Sequence, residues 1–259
     1  MGPAVAGEHR DPLPTSIAAL GDSITRGFNA CGFYRDCTRR SWSTGDDGAV
    51  HSQRLRLEQR GARLQQWNLA RSGARSDALA EQAARAGEVG ADYVTIEIGA
   101  NDVCARSEAD MTSLQDFRRN IRAGLSTLRQ RVPGAQVYIA SIPDLRQLWA
   151  IGHTSWYVRR TWAELGVCPS MLARSNSQDP ADVGRRDRVR SRTIRFNRIL
   201  AQECAAYGPM CWFDQLAVFE ATFTRDQISR WDYFHPSVEG QQLLAAITWE
   251  SGFFGADED

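Results

Sequence analysis

Three apolar runs of this chain end at or just before a glycine, and that repeated punctuation constrains the fold more than any other feature. "SIAAL" (16–20) stops at Gly21, "LQQWNLA" (64–70) runs into the turn that carries Gly73, and "DYVTIEIG" (92–99) closes on Gly99. Each reads as a short buried strand followed by a tight turn. "AQVYIAS" (135–141), closed by Pro143, adds a fourth, and "MCWFD" (210–214) a weaker fifth.

Helical patterns lie between these runs. Residues 49–60 set Val50, Leu55 and Leu57 among polar neighbours, 76–88 is rich in alanine, and 238–250 reads as a last helix. The clearest pattern is 111–131, where Met111, Leu114, Phe117, Ile121, Leu125 and Leu128 recur three or four apart before Pro133-Gly134 breaks the period. Strands alternating with helices predict a parallel sheet covered on both faces. In such sheets, sites form at the carboxyl ends of the strands, which directs attention to the turns at 21–27, 71–75, 99–104 and 142–146. The expected organisation is a flexible segment over 1–14 and one domain over 15–254.

Composition excludes some classes of function. Formal net charge is zero over 259 residues, so nothing points to nucleic acid or an anionic membrane. No stretch approaches the roughly 18 unbroken apolar residues of a membrane span. All 31 basic side chains are arginine, which reads as codon bias of a GC-rich genome, with bidentate anion recognition as the alternative. The six cysteines, Cys31, Cys37, Cys104, Cys168, Cys204 and Cys211, form no CxxC and sit at no zinc-ligand spacing. Their even count favours disulfides, an oxidising compartment and a secreted protein whose signal peptide has been removed; six reduced core cysteines are the other reading. Cys31/Cys37 and Cys204/Cys211 would each close a short loop, but spacing alone leaves fifteen pairings open.

Residues 144–190 break the rhythm. They show no clear period and carry Trp149, Trp156 and Trp162 ahead of Cys168 and "SNSQDPAD". Insertions of this size are usually functional or disordered, and three tryptophans speak against disorder. The segment is expected to be an irregular lid or acyl-chain wall, against the plainer reading of a surface loop. The arginines that follow, Arg185 to Arg198, read as a solvated helix face, with a phosphate or head-group contact as the alternative.

The turns carry the chemistry. "GDSITRG" places Ser23 just past the first strand, "NLARSG" places the Gly73 amide after the second, and "GAND" places the Asn101 side chain after the third. "DYFHPS" (232–237) holds Asp232 and His235 at the entrance of the last helix; as one helical turn, i to i+3 puts both on one face. Each element alone is commonplace. Together they supply every role acyl transfer needs, with Ser23 as nucleophile, His235 as general base and Asp232 orienting the imidazole. The Ser23 and Gly73 amides and Asn101 are the oxyanion donors. No metal or cofactor is required.

These blocks resemble the GDSL, or SGNH, hydrolase family in Gly21-Asp22-Ser23, Gly73, Gly99-Ala100-Asn101-Asp102 and Asp232-Tyr233-Phe234-His235. The resemblance spans 16–240 and implies a flavodoxin-like three-layer α/β/α sandwich of about five parallel strands. "SWSTG" (41–45), "NLARSGA", "IGANDVC" and "SIPDL" are similar to the phospholipase B-like and secreted actinobacterial lipase branch. That likeness implies hydrolysis of fatty-acyl esters of phospholipids or lysophospholipids, with transient contact to a lipid surface. It also implies disulfides Cys31–Cys37, Cys104–Cys168 and Cys204–Cys211, the second tying the turn beside Asn101 to the tryptophan-bearing insertion. Asp22 and Asp102 are expected to brace their loops. A carbohydrate acetylesterase and a non-catalytic binding module are the alternatives. The p-nitrophenyl ester chain-length series separates the first from a lipase.

Overall fold

The computed structural model describes residues 12–255. Most of the segment read as a flexible N-terminal extension, residues 1–11, lies outside the described residues. Five strands form one sheet: β1 (Ser16–Gly21), β2 (Gln65–Asn68), β3 (Tyr93–Glu97), β4 (Gln136–Ile139) and β5 (Cys211–Phe213). They pair in the order β2-β1-β3-β4-β5, all parallel, which is the flavodoxin-like winding. β1 and β3 are buried along their whole length because both faces are covered, so they read as continuous apolar runs.

One face carries α2 (Leu79–Glu88), α4 (Leu114–Arg131) and α8 (Pro180–Tyr207), packed side by side; on the other, α10 (Val238–Glu250) meets α1 (Gln53–Gln59) and the short α9 (Ala217–Glu220). Local chemistry sets the ends. Ser113 caps α4 by accepting from the Asp116 amide at 3.0 Å, and Arg129 and Arg131 lie in its last turn, against the negative end of the helix dipole. Ser237 caps α10 from the Gly240 amide at 3.2 Å, only two residues after His235.

The reading of 144–190 as irregular is corrected. The segment forms α5 (Leu145–Gly152), α6 (Trp156–Glu164), α7 (Pro169–Leu172) and the start of α8, with a four-residue helix, α3 (Ala100–Val103), beneath it. α5 to α7 are too short to display a period. α8 hides its period differently. Its buried stripe runs Asp182, Arg186, Val189, Thr193, Phe196, Asn197, Ile199, Leu200, Glu203 and Cys204, with helical spacing but polar side chains at half the positions. The arginines of α8 are a solvated face only in part: Arg188, Arg195 and Arg198 are exposed, but several of the row are tied to neighbouring segments. Arg190 pairs with Asp144 and Arg188 with Glu108, Arg192 donates to the Thr112 carbonyl, and Arg186 is buried against the Trp149 ring.

Candidate active site

The Ser23 turn exists because β1 ends in glycine. Gly21 has φ +143°, and a Cβ there would sit 2.1 Å from the Glu97 carbonyl of β3, so no side chain fits between the two strand ends. Gln82 of α2 bonds both the amide (2.7 Å) and the carbonyl (3.0 Å) of Gly21. Asp22 caps the turn by accepting from the Ile24 amide at 2.9 Å, and Gln241 of α10 donates to the Ile24 carbonyl at 2.8 Å. Ser23 is thereby held over the carboxyl end of the sheet, 7% exposed.

Ser23 Oγ lies 2.8 Å from His235 Nε2, and His235 Nδ1 lies 2.5 Å from Asp232 Oδ2. The hydroxyl donates to Nε2 when the imidazole carries its proton on Nδ1, the tautomer that the carboxylate favours. Asp232 is 4% exposed and fully engaged. Its Oδ2 also accepts from Asn29 Nδ2 at 2.7 Å, and its Oδ1 accepts from the Phe234 and His235 amides at 3.0 and 3.1 Å.

The expectation of a helical turn at 232–235 is corrected. Tyr233 adopts φ +52°, and the Asp232 carboxylate closes an Asx-type turn over the following amides. This turn, not a helix face, brings Asp232 to His235. The Ser229 amide donates to the His235 carbonyl at 2.8 Å, and the Trp162 indole N–H donates to the Tyr233 carbonyl at 3.0 Å.

Ser23, Gly73 and Asn101 follow the carboxyl ends of β1, β2 and β3. Neither the Ser23 nor the Gly73 amide donates to an acceptor among the described residues, and Gly73 takes φ +78° in its turn. Asn101 follows β3 in the first turn of α3, and its Nδ2 donates to the Ala74 carbonyl at 3.0 Å and to Asp22 Oδ2 at 3.4 Å. The second bond is long, so that hydrogen is weakly held. Asp102 accepts from the Ser76 amide (2.8 Å) and hydroxyl (2.6 Å), tying the loop after Gly73 to α3.

Beneath the nucleophile sits a buried pair of acids. Burial pushes the Asp22 carboxyl up to about 7. Glu97 is raised well above its ordinary value, first by burial and then by the charge of Asp22, and neither of its oxygens meets hydrogen-bond geometry.

Several site residues gave no signal in the sequence. Asn29 lies in an unremarkable loop. It donates to Asp232 through Nδ2 and accepts from the Tyr34 amide through Oδ1 at 2.6 Å. Phe28 packs on the His235 ring with centroids 4.8 Å apart. Trp162, read as a wall for an acyl chain, is 2% exposed and braces the turn that carries His235. Trp149 turns inward to the Ser175 carbonyl at 2.7 Å. Of the three tryptophans, only Trp156 is exposed.

All six cysteines are paired, as Cys31–Cys37, Cys104–Cys168 and Cys204–Cys211. Among the described residues no cluster could hold a metal ion, and no helix is long and apolar enough to cross a membrane.

A five-stranded parallel α/β sandwich with serine, histidine and aspartate joined in one hydrogen-bonded row over its carboxyl edge has the layout of an ester hydrolase. The chain belongs to the GDSL-like lipase/acylhydrolase family, whose model matches residues 19–243. By that membership it is a carboxylic ester hydrolase of the esterase and lipase class. No curated protein matches its sequence. The fold is similar to that of LAE5, an alpha/beta hydrolase enzyme from the metagenome of Lake Arreo (16% identity, 94% of this chain and 97% of that one, TM-score 0.59). It is also similar to a putative GDSL-like lipase from Parabacteroides merdae (20%, 92% and 94%, TM-score 0.57). A third similar structure is a catalytic mutant of Axe2, an acetylxylan esterase from Geobacillus stearothermophilus (19%, 93% and 95%, TM-score 0.57).

Proposed function

We propose that the chain is a serine ester hydrolase that works through an acyl-Ser23 intermediate. The observation that carries this reading is the unbroken row Ser23–His235–Asp232, at 2.8 and 2.5 Å. His235 Nε2 takes the Ser23 proton as Oγ attacks the ester carbonyl carbon, and the Asp232 carboxylate stabilises the imidazolium. The amides of Ser23 and Gly73 receive the tetrahedral oxyanion, with Asn101 turning its weakly held hydrogen from Asp22 to the same oxygen. His235 then returns the proton to the departing alkoxide, leaving the acyl-enzyme and a free alcohol. Water enters by the reverse proton path and releases the acid. Each donor to the oxyanion is worth roughly 3–4 kcal/mol in the transition state.

Two substrate classes follow from different observations. The likeness of "SWSTG" and "IGANDVC" to the phospholipase B-like branch suggests fatty-acyl esters of lipids. A short acyl group, as in a carbohydrate acetylester, is favoured by the small cavity beside the catalytic turns, which is lined by Ile24 and Phe234 but not by Ser23 or His235 themselves. It is apolar, about 30 Å³, and lined by Pro143, Leu145, Leu148 and Phe223. That is space for two or three heavy atoms. With Trp149 and Trp162 turned inward, the helices of 145–164 do not offer the long acyl wall expected of them, so the short-acyl reading is the better supported. Three disulfides suit an oxidising compartment and support secretion.

The test is labelling with a fluorophosphonate probe followed by peptide mapping. An adduct on Ser23 that is absent in Ser23→Ala is expected. A folded wild type without an adduct would refute the reading. A p-nitrophenyl ester series then sets acyl length, with acetate or propionate expected to exceed decanoate.

A further inference from the structure

We infer that the surface leading away from His235 is a binding subsite for a linear, neutral oligosaccharide. This rests on the reading above and names the alcohol side of the ester.

Four aromatic rings form a continuous path from the imidazole. Phe28 lies 4.8 Å from His235, Tyr34 lies 5.4 Å from Phe28, Phe33 lies 5.4 Å from Tyr34, and Trp231 lies 5.8 Å from Phe33, centroid to centroid. The outer three are exposed by 55% (Phe33), 64% (Tyr34) and 38% (Trp231). Two of them sit in the loop that Cys31–Cys37 closes, and Asn29 pins its Tyr34 amide to the Asp232 side of the site. The rings are therefore presented by a tethered loop, already ordered before any ligand arrives, which lowers the entropic cost of binding.

The path ends in a groove of about 740 Å³, within the usual range for a ligand site. Trp231 is part of its lining, beside Arg225, Asp226, Ser229, Arg230 and Glu239. The Arg225 guanidinium lies over the Tyr233 ring at 5.5 Å and that of Arg230 over Trp231 at 5.0 Å. Neither guanidinium nor the Asp226 carboxylate forms an ion pair among the described residues.

This combination selects the ligand. The C–H face of a pyranose is apolar and weakly positive, and it packs on the negative face of an aromatic ring. Sugar hydroxyls both donate and accept, so they can satisfy carboxylates and guanidiniums in the same groove. A phosphate or an anionic head group would meet Asp226 and Glu239 as well as the arginines. A bilayer would have to desolvate those carboxylates, at a cost no hydrocarbon contact in a concave polar groove returns.

The experiment is calorimetric titration of the Ser23→Ala protein with xylotetraose and cellotetraose. Saturable binding to at least one is expected, weakened about tenfold or more in Ser23→Ala proteins that also carry Trp231→Ala or Phe33→Ala, as for truncation of an aromatic anchor. No binding, or binding indifferent to both substitutions, overturns the inference. In active protein, Trp231→Ala should raise KM for acetylated xylotetraose about tenfold while kcat and p-nitrophenyl acetate hydrolysis stay within about twofold. Equal losses on both substrates would mean a structural role and overturn it. So would sedimentation with phosphatidylglycerol vesicles that depends on Phe33 and Trp231 in a protein that binds neither sugar. Binding to Ser23→Ala requires no chemistry, so a failed fluorophosphonate reaction would remove the hydrolase reading and leave this result standing.

Discussion

Asn29→Ala tests whether the support of Asp232 matters to catalysis as the geometry implies. Asn29 Nδ2 gives Asp232 Oδ2 one of its two side-chain donors, at 2.7 Å in a buried setting, and the other is His235 itself. A hydrogen bond to a charged group contributes about 1.5–3 kcal/mol, which caps the catalytic loss at roughly 10–150-fold. Two effects oppose each other within that limit. Losing the donor leaves more of the carboxylate's charge facing Nδ1, which favours the imidazolium, but it also frees the side chain to rotate away. The amides of Phe234 and His235 still hold Oδ1. We therefore expect a fall near the lower end, about tenfold, in kcat, with KM for the small p-nitrophenyl acetate unchanged, because the Asn29 side chain is buried and taken up by Asp232 and the Tyr34 amide. Asn29→Asp keeps the shape but sets a second carboxylate against the first, and should lose more than Asn29→Ala at neutral pH. The assay is p-nitrophenyl acetate kinetics alongside guanidinium unfolding, since the Tyr34 amide also loses its acceptor. An Asn29→Ala protein that keeps kcat within about twofold, or that loses only in KM, would show that Asp232 needs no such support.

Glu97→Gln addresses the acid pair. Burial raises both Asp22 and Glu97, so the folded chain holds protons the unfolded chain would release; that stability is present at low pH and lost as pH rises, through about 7 for Asp22, with Glu97 shifted in the same direction. The substitution removes one buried acid, so guanidinium midpoints should fall less on the alkaline side than in wild type, and the variant should be the more stable above about pH 8. Identical slopes would argue that the pair is not coupled to folding. Replacing Cys104 and Cys168 together by serine opens a crosslink of sequence separation 64. The chain-entropy model gives about 4 kcal/mol, or roughly 10 °C in Tm by calorimetry. A shift below about 3 °C would show that packing of α7 against α8 already restrains that segment.

How much of this was legible in the sequence differs from element to element. β1 and β3 could be read because both of their faces are buried, which forces an unbroken apolar run, and α4 because its one buried stripe is apolar. The Ser23, Gly73 and Asn101 turns were legible because in a parallel sheet a strand end locates a site before any contact is known. α8 was not, since half of its inward positions are polar, among them Asp182, Arg186, Asn197 and Glu203, and these are tolerable inside because Arg174, the Ser177 carbonyl, the Ile142 carbonyl and Arg118 meet them in turn. Asp232 and His235 are legible from their residue types, but the spacing alone allows a helical turn between them, because the left-handed Tyr233 leaves no mark in composition. Asn29, Phe28 and Trp162 were beyond the sequence altogether: the first is separated from Asp232 by 203 positions and the last from Tyr233 by 71. The sequence by itself determined the order of the five strands, the chemistry of the reacting groups and the edge of the sheet where they would gather, because these follow from local periodicity and from parallel winding. Only the tertiary structure decided what braces those groups and what surface leads away from them, because hydrogen bonds and ring contacts between remote segments depend on where the chain returns, and no local pattern records that.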